Sequence, residues 1–109
     1  MLFLVELDHV KSGALLTPEQ GRTFIEQVIF PTLARAEQFS KDGKIVSGGA
    51  VLGRVSLRFI VEAASLPEVD QIVSSLPVWP LAETRVTPLT AFADRRQSVQ
   101  ALLASLAKA

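Results

Sequence analysis

Cysteine is absent from the 109 residues, and histidine occurs once, at His9. That count removes disulfides, thiolate nucleophiles and Cys/His zinc sites, and leaves all imidazole chemistry to one side chain. Tyrosine is also missing, and aromatics make up 6% of a chain that is 49% hydrophobic, so the expected core is aliphatic. Eleven basic and eleven acidic side chains cancel. No basic cluster exceeds Arg95-Arg96, so no footprint for a nucleic-acid backbone is expected. The apolar opening from Met1 to Val5 is interrupted by Glu6 and Asp8 and lacks a basic flank. It reads as neither signal peptide nor membrane span, which makes a cytoplasmic protein the expectation. A chain of this length buries one core, and nothing in its composition calls for a metal or cofactor.

The hydrophobic pattern divides into recognisable elements. Leu2 to Val10 reads as a first strand, apolar on both parities at its start and polar at Glu6 and Asp8. After a turn at Gly13, Thr17-Pro18-Glu19-Gln20 has the form of a capping box with proline at the first helical position. A helix is expected from there, with Phe24, Val28, Leu33 and Phe39 on its inner side, kinked or broken after Phe30 by Pro31 and ended at Asp42-Gly43. Lys44 to Leu52 reads as an edge strand in which Gly48-Gly49 marks a bulge or a close approach. Val55 to Ala63 alternates Val55, Leu57, Phe59 and Val61 against Ser56, Arg58, Ile60 and Glu62, a strand with one apolar face. Ser65 and Glu68 form a second capping box ahead of a helix whose stripe is Leu66, Val69, Ile72, Val73 and Leu76, stopped by Pro77. A loop holding Trp79 between Pro77 and Pro80 then feeds a strand from Glu83 to Phe92.

Strand, helix, strand, strand, helix, strand is the order of an α+β, ferredoxin-like βαββαβ fold, with an antiparallel sheet and both helices on one face. The uncovered face, expected to carry Leu, Val and Phe, needs a cover, and the simplest is a second copy in a dimeric α+β barrel. Residues 1–92 would form this domain. Residues 93–109 would add a terminal amphipathic helix capped by Asp94, with Val99, Leu102, Leu103 and Leu106 on one side, packed on its own domain or on a neighbouring subunit.

The run Leu76-Pro77-Val78-Trp79-Pro80 leading to Thr87-Pro88-Leu89 resembles the closing segment of muconolactone delta-isomerases. Met1-Leu2-Phe3 with Val5 and Asp8 is similar to that family's opening strand, and Asp42-Gly43-Lys44 to its acidic-Gly-Lys turn. From Gly43 to Ser65 the family pattern lies over the sequence without a gap. The resemblance implies the ferredoxin-like fold and a homo-oligomer. At the family's polar pocket positions this chain instead carries Ile29-Phe30-Pro31-Thr32-Leu33, Ile45-Val46-Ser47, Gly49-Ala50, Val55 and Leu57, so no catalytic residue carries over. Shifting a double bond in a lactone needs a proton acceptor, a donor and stabilisation of an enolate, and Ile29, Phe30, Leu33 and Val55 supply none.

The residues that remain as candidates are few. His9, at the end of the first strand, is the one candidate base. Phe24, Val28, Leu57 and Trp79 are expected to ring a cavity for a small, largely apolar ring metabolite. Arg58 interrupts an apolar strand and reads as a structural ion pair with Glu6 or Glu62, or as a clamp for a ligand carboxylate. Glu26 is read as solvated, and Trp79 also as a subunit contact. Two other functions compete with a ring-binding, isomerase-like protein. One is a non-catalytic oligomeric module. The other is a cofactor-free oxygenase or heme-handling barrel protein, which rests on fold analogy and on His9.

Overall fold

The computed structural model describes residues 1–10 and 17–107; the Gly13 turn and the last two residues of the expected terminal helix lie outside them. Strand β1 (Leu2–His9) is central, antiparallel to β3 (Ser56–Glu62) on one side and to β4 (Ala82–Leu89) on the other, and β2 (Ile45–Ala50) pairs with β3 at the edge. The resulting order is β2-β3-β1-β4, that of the ferredoxin-like fold. Alternation along β1 sends Phe3, Val5 and Leu7 to one face, each at most 1% exposed. There they meet Phe59 and Val61 of β3, Val69, Ile72 and Val73 of the helix that follows β3, and Leu76 just after that helix. Each such side chain removed from water contributes roughly 1.5–3 kcal/mol, which is why this face organises the domain.

The first helical segment begins as its capping box dictates. Thr17 Oγ1 accepts from the Gln20 N–H at 3.1 Å, and Gln20 Oε1 accepts from the Thr17 N–H at 3.0 Å. Of the kink or break expected at Pro31, the break does not occur. Helix α1 (Pro18–Phe24) passes through a π-helical turn (Ile25–Ile29) into α2 (Phe30–Lys41), with the Phe30 N–H donating to the Ile25 carbonyl. A π turn takes an extra residue, so proline, which has no N–H to offer, is accommodated by a wider turn in a continuous helix. Gly43 ends it at φ 78°, the left-handed conformation expected of that residue.

On β2 the register slips between Ile45 and Ser47, and Gly48 adopts φ 129° with its Cα turned against the Arg58 carbonyl and Phe59 Cα, where a Cβ would collide. The close approach is therefore by the chain's own β3. Helix α3 (Leu66–Ser74) buries Val69, Ile72 and Val73, but Leu66, expected in that stripe, is 56% exposed. It sits at the first helical position, ahead of the turn that reaches the sheet. The second capping box is also shifted. Ser65 Oγ accepts from the Glu68 N–H, and the Glu68 carboxylate accepts from Ala64 rather than from Ser65. After a 3₁₀ turn (Trp79–Leu81), β4 ends at Leu89, three residues before the expected Phe92, and helix α4 (Phe92–Ala107) follows. Asp94 lies inside its first turn rather than at the cap, where its charge still complements the helix dipole. Every described residue of α4 is exposed, and the helix stands off the domain. The Cα radius of gyration is 18.4 Å, against about 13 Å for a compact chain of this length.

Candidate functional site

Where β1, β3 and α2 diverge, the core leaves a cavity of about 200 Å³. Its walls are Leu7, Ile29, Leu33, Val55, Leu57, Val78 and Ala82, and His9 and Thr32 also line it, as do Arg54 and Ser56, whose polar groups bond Asp8. An apolar cavity of about 150 Å³ takes a benzene ring, so the space suits one substituted ring. Strand alternation explains its apolar floor. Leu7 and Leu57 are paired residues on neighbouring strands and project to the helix side, and the helix above contributes Ile29 and Leu33.

His9 is the last residue of β1. Its N–H donates to the Val55 carbonyl at 3.0 Å, and the next N–H, of Val10, to the Leu81 carbonyl at 2.9 Å, so the backbone on either side of the imidazole is tied to a neighbouring segment. The ring lies against Phe24, with centroids 5.0 Å apart and planes at 44°. Thr32 is 3% exposed, and its Oγ1 accepts the Val78 N–H at 3.1 Å. This bond ties α2 to the segment that carries Trp79.

Of the residues singled out from the sequence, His9 and Leu57 line the cavity. Phe24 supports the His9 ring, and Val28 packs on the core beside it. The expected ring of Phe24, Val28, Leu57 and Trp79 does not form around one space. Trp79 lies in a separate groove with Leu66, Val73 and Val86, because the 3₁₀ turn carries it past the α3 side of the sheet. Glu26 is exposed, as expected. Thr32 stood in the stretch laid over the family's pocket positions without a role of its own, and Arg54 was not anticipated. The legible signal for Thr32 was spacing: Phe24, Val28, Thr32 and Ala36 recur at strict intervals of four. An α-helix drifts about 40° per such step, and the π turn absorbs most of the accumulated drift and keeps the four on one line.

Arg58 lies on the opposite face of the sheet. Its guanidinium bonds both oxygens of Asp8 at 3.0 and 3.2 Å and lies 3.6 Å from Glu6. The ion pair with Glu6 is the one anticipated. Glu62, the alternative partner, instead meets the N-terminal ammonium at 2.9 Å. Asp8 also accepts from Ser56 Oγ at 2.6 Å and from Arg54 at 3.2 Å. The Ser56 hydroxyl first, then the Arg58 guanidinium, hold the Asp8 carboxyl below the usual carboxylate range, with the charges of Arg58 and Arg54 adding and partial desolvation opposing. The uncovered face therefore differs from expectation. It is apolar only at Leu2, Leu4, Ile60 and Leu89, and charged at the other end, because Val and Phe take the helix-facing parity.

The family model of muconolactone delta-isomerase matches residues 1–95. The chain belongs to that family. Among solved structures, a muconolactone isomerase is similar at TM-score 0.66 and 19% identity, over 84% of this chain and 90% of that one. The 5-chloro-2-hydroxyhydroquinone dehydrochlorinase of Burkholderia phenoliruptrix AC1100, in complex with 2,5-dihydroxybenzoquinone, matches at TM-score 0.61 and 24% identity, over 86% of this chain and 98% of that one. Both share the fold. A search of curated proteins gives no match. The family match ends within the first turn of α4, so most of that helix lies beyond the family pattern. Among the described residues no cluster of His, Asp or Glu has the arrangement of a metal site, and no helix is long and apolar enough to cross a membrane.

Proposed function

We propose that this muconolactone-isomerase-like chain binds a small, largely apolar ring metabolite in the cavity between β1, β3 and α2, and that His9 is its proton-transfer group. The observation that carries this reading is a one-ring apolar cavity with the chain's single imidazole on its wall. An imidazole there can take a proton from a ring carbon beside a carbonyl and return it to another, which moves a double bond without cofactor or net oxidation. The family and its ring-binding structural neighbour support a place in aromatic catabolism. Apolar Ile29 and Leu33 in the register of the family's charged helix stretch, and Val55 and Leu57 at its aromatic and Asn positions, argue for a less polar ligand than those of the family.

Self-association belongs to the same proposal. The apolar end of the uncovered sheet face, with Leu2 and Leu4, and the exposed leucines of α4 are surfaces a second copy would cover. A cytoplasmic location fits a catabolic role of this kind.

The test is an NMR titration with single-ring enol lactones and hydroxyquinones, together with turnover assays. Leu33→Trp, which fills the cavity from α2, should abolish ring binding while the fold persists. His9→Gln should keep binding and lose turnover. Ring binding by Leu33→Trp at wild-type strength would place the ligand elsewhere and end this reading.

A further inference from the structure

Thr32 is the most deeply buried polar side chain on the cavity wall, at 3% exposure. A hydroxyl has one proton to donate and two lone pairs to accept with. The Oγ1 accepts from the Val78 N–H, yet among the described residues no acceptor receives its proton. Elsewhere in the same helix the usual solution is seen: Thr23 Oγ1 donates to the Glu19 carbonyl one turn back, at 3.1 Å. The corresponding carbonyl for Thr32 belongs to Val28, and no such bond forms. A buried hydroxyl donor left unpaired is costly, and Thr32 is one of the residues that line the cavity.

We infer that the Thr32 hydroxyl donates a hydrogen bond to a carbonyl oxygen of the bound ring, and so selects carbonyl-bearing rings over their hydrocarbon isosteres. The inference rests on the ring-binding reading above and names the substrate class within it. Two features hold the donor in place. The Val78 N–H occupies one lone pair, which restricts the rotation of the hydroxyl. The π turn before Pro31 keeps Thr32 in line with Val28 and Ala36, both packed on the core. When His9 removes a proton beside that carbonyl, charge develops on the oxygen, and the Thr32 bond strengthens as the enolate forms and weakens as the proton returns to the ring. Threonine thereby supplies, without a charge, the enolate stabilisation that the apolar substitutions on α2 otherwise remove.

The experiment compares cyclohexanone with methylenecyclohexane, which differ only in C=O against C=CH₂, by NMR titration of the wild type, Thr32→Val and Thr32→Ser. A single neutral hydrogen bond predicts that the ratio of ketone to alkene affinity falls about fivefold from the wild type to Thr32→Val. The ratio should return in Thr32→Ser. Because Thr32→Val also strands the Val78 N–H and could compromise folding, the infrared carbonyl band of bound cyclohexanone in the wild type gives a second readout. It should lie below its position in cyclohexane. A ketone-to-alkene ratio unchanged in Thr32→Val, or an unshifted band, would overturn the role of Thr32 while leaving the cavity a ring site. Binding of neither ring would overturn the cavity reading and this inference with it.

Discussion

On its helix side β1 presents Phe3, Val5, Leu7 and His9; on the other it presents Leu2, Leu4, Glu6 and Asp8, with Arg58 and Ser56 of β3 beside the acids. The first face is buried, closed by three helical segments, and opens at its His9 end into the candidate cavity. The second is half-exposed, and its order comes from charge and hydrogen bonding around Asp8 rather than from packing. One strand thus separates two functions by residue parity alone. Stability and the candidate site share the apolar parity, and the polar parity anchors β1 to β3 around Asp8.

The largest expected contrast is in stability. Phe3→Ala, which empties a position 1% exposed, should cost about 3–5 kcal/mol in urea unfolding. Leu2→Ala, next to it but 38% exposed, should cost less than about 1 kcal/mol. Similar losses at the two positions would mean that the second face is covered in solution, which is the result self-association through the sheet requires. Measuring Leu2→Ala across a range of protein concentrations separates the cases, since a surface buried only in an oligomer becomes more costly to truncate as the oligomer forms.

A smaller effect should mark the polar face alone. The Asp8 carboxyl is held below its unfolded value, about 3.9. Its stabilisation is therefore complete above that pH and is lost as pH falls through the lower folded value. Asp8→Asn should flatten this part of the acid limb when urea midpoints are followed from pH 6 to pH 2. His9→Gln should leave that limb in place. An unchanged acid limb in Asp8→Asn would show that the Ser56, Arg58 and Arg54 contacts do not persist in solution.

The fold was legible because its signals are local and mutually consistent. The Thr17 to Gln20 capping box, the glycine after Asp42 and the alternation of β3 each specify one element, and only one topology joins them with short connections. The site was less legible because it depends on phase. A kink or break at Pro31 could be read from the sequence but the π turn could not, and the buried Thr32 hydroxyl bonded to Val78 went unread with it. Trp79 was read either as part of the cavity ring or as a subunit contact; the three-residue 3₁₀ turn takes it away from the cavity to the α3 side. Sequence spacing cannot register such a turn, since it changes direction without changing length. His9 and Leu57 reached the cavity wall because strand parity, unlike helix phase, accumulates no drift.

The smallest stability effect should come from α4, and for that reason it separates folding from assembly most cleanly. Val99, Leu102 and Leu106 recur on one side of the helix and are 51–63% exposed, so they contribute little to the domain that precedes them. Replacing all three with Lys should leave the urea midpoint of a dilute sample within about 0.5 kcal/mol per site of the wild type. The same substitutions should lower the mass measured by sedimentation, because charges on that stripe would have to be desolvated for α4 to pack on a second copy. A falling midpoint at high dilution would show instead that α4 folds back on its own domain. If neither midpoint nor mass changes, α4 has no part in self-association, and the apolar end of the sheet face around Leu2 and Leu4 is left as the surface to test.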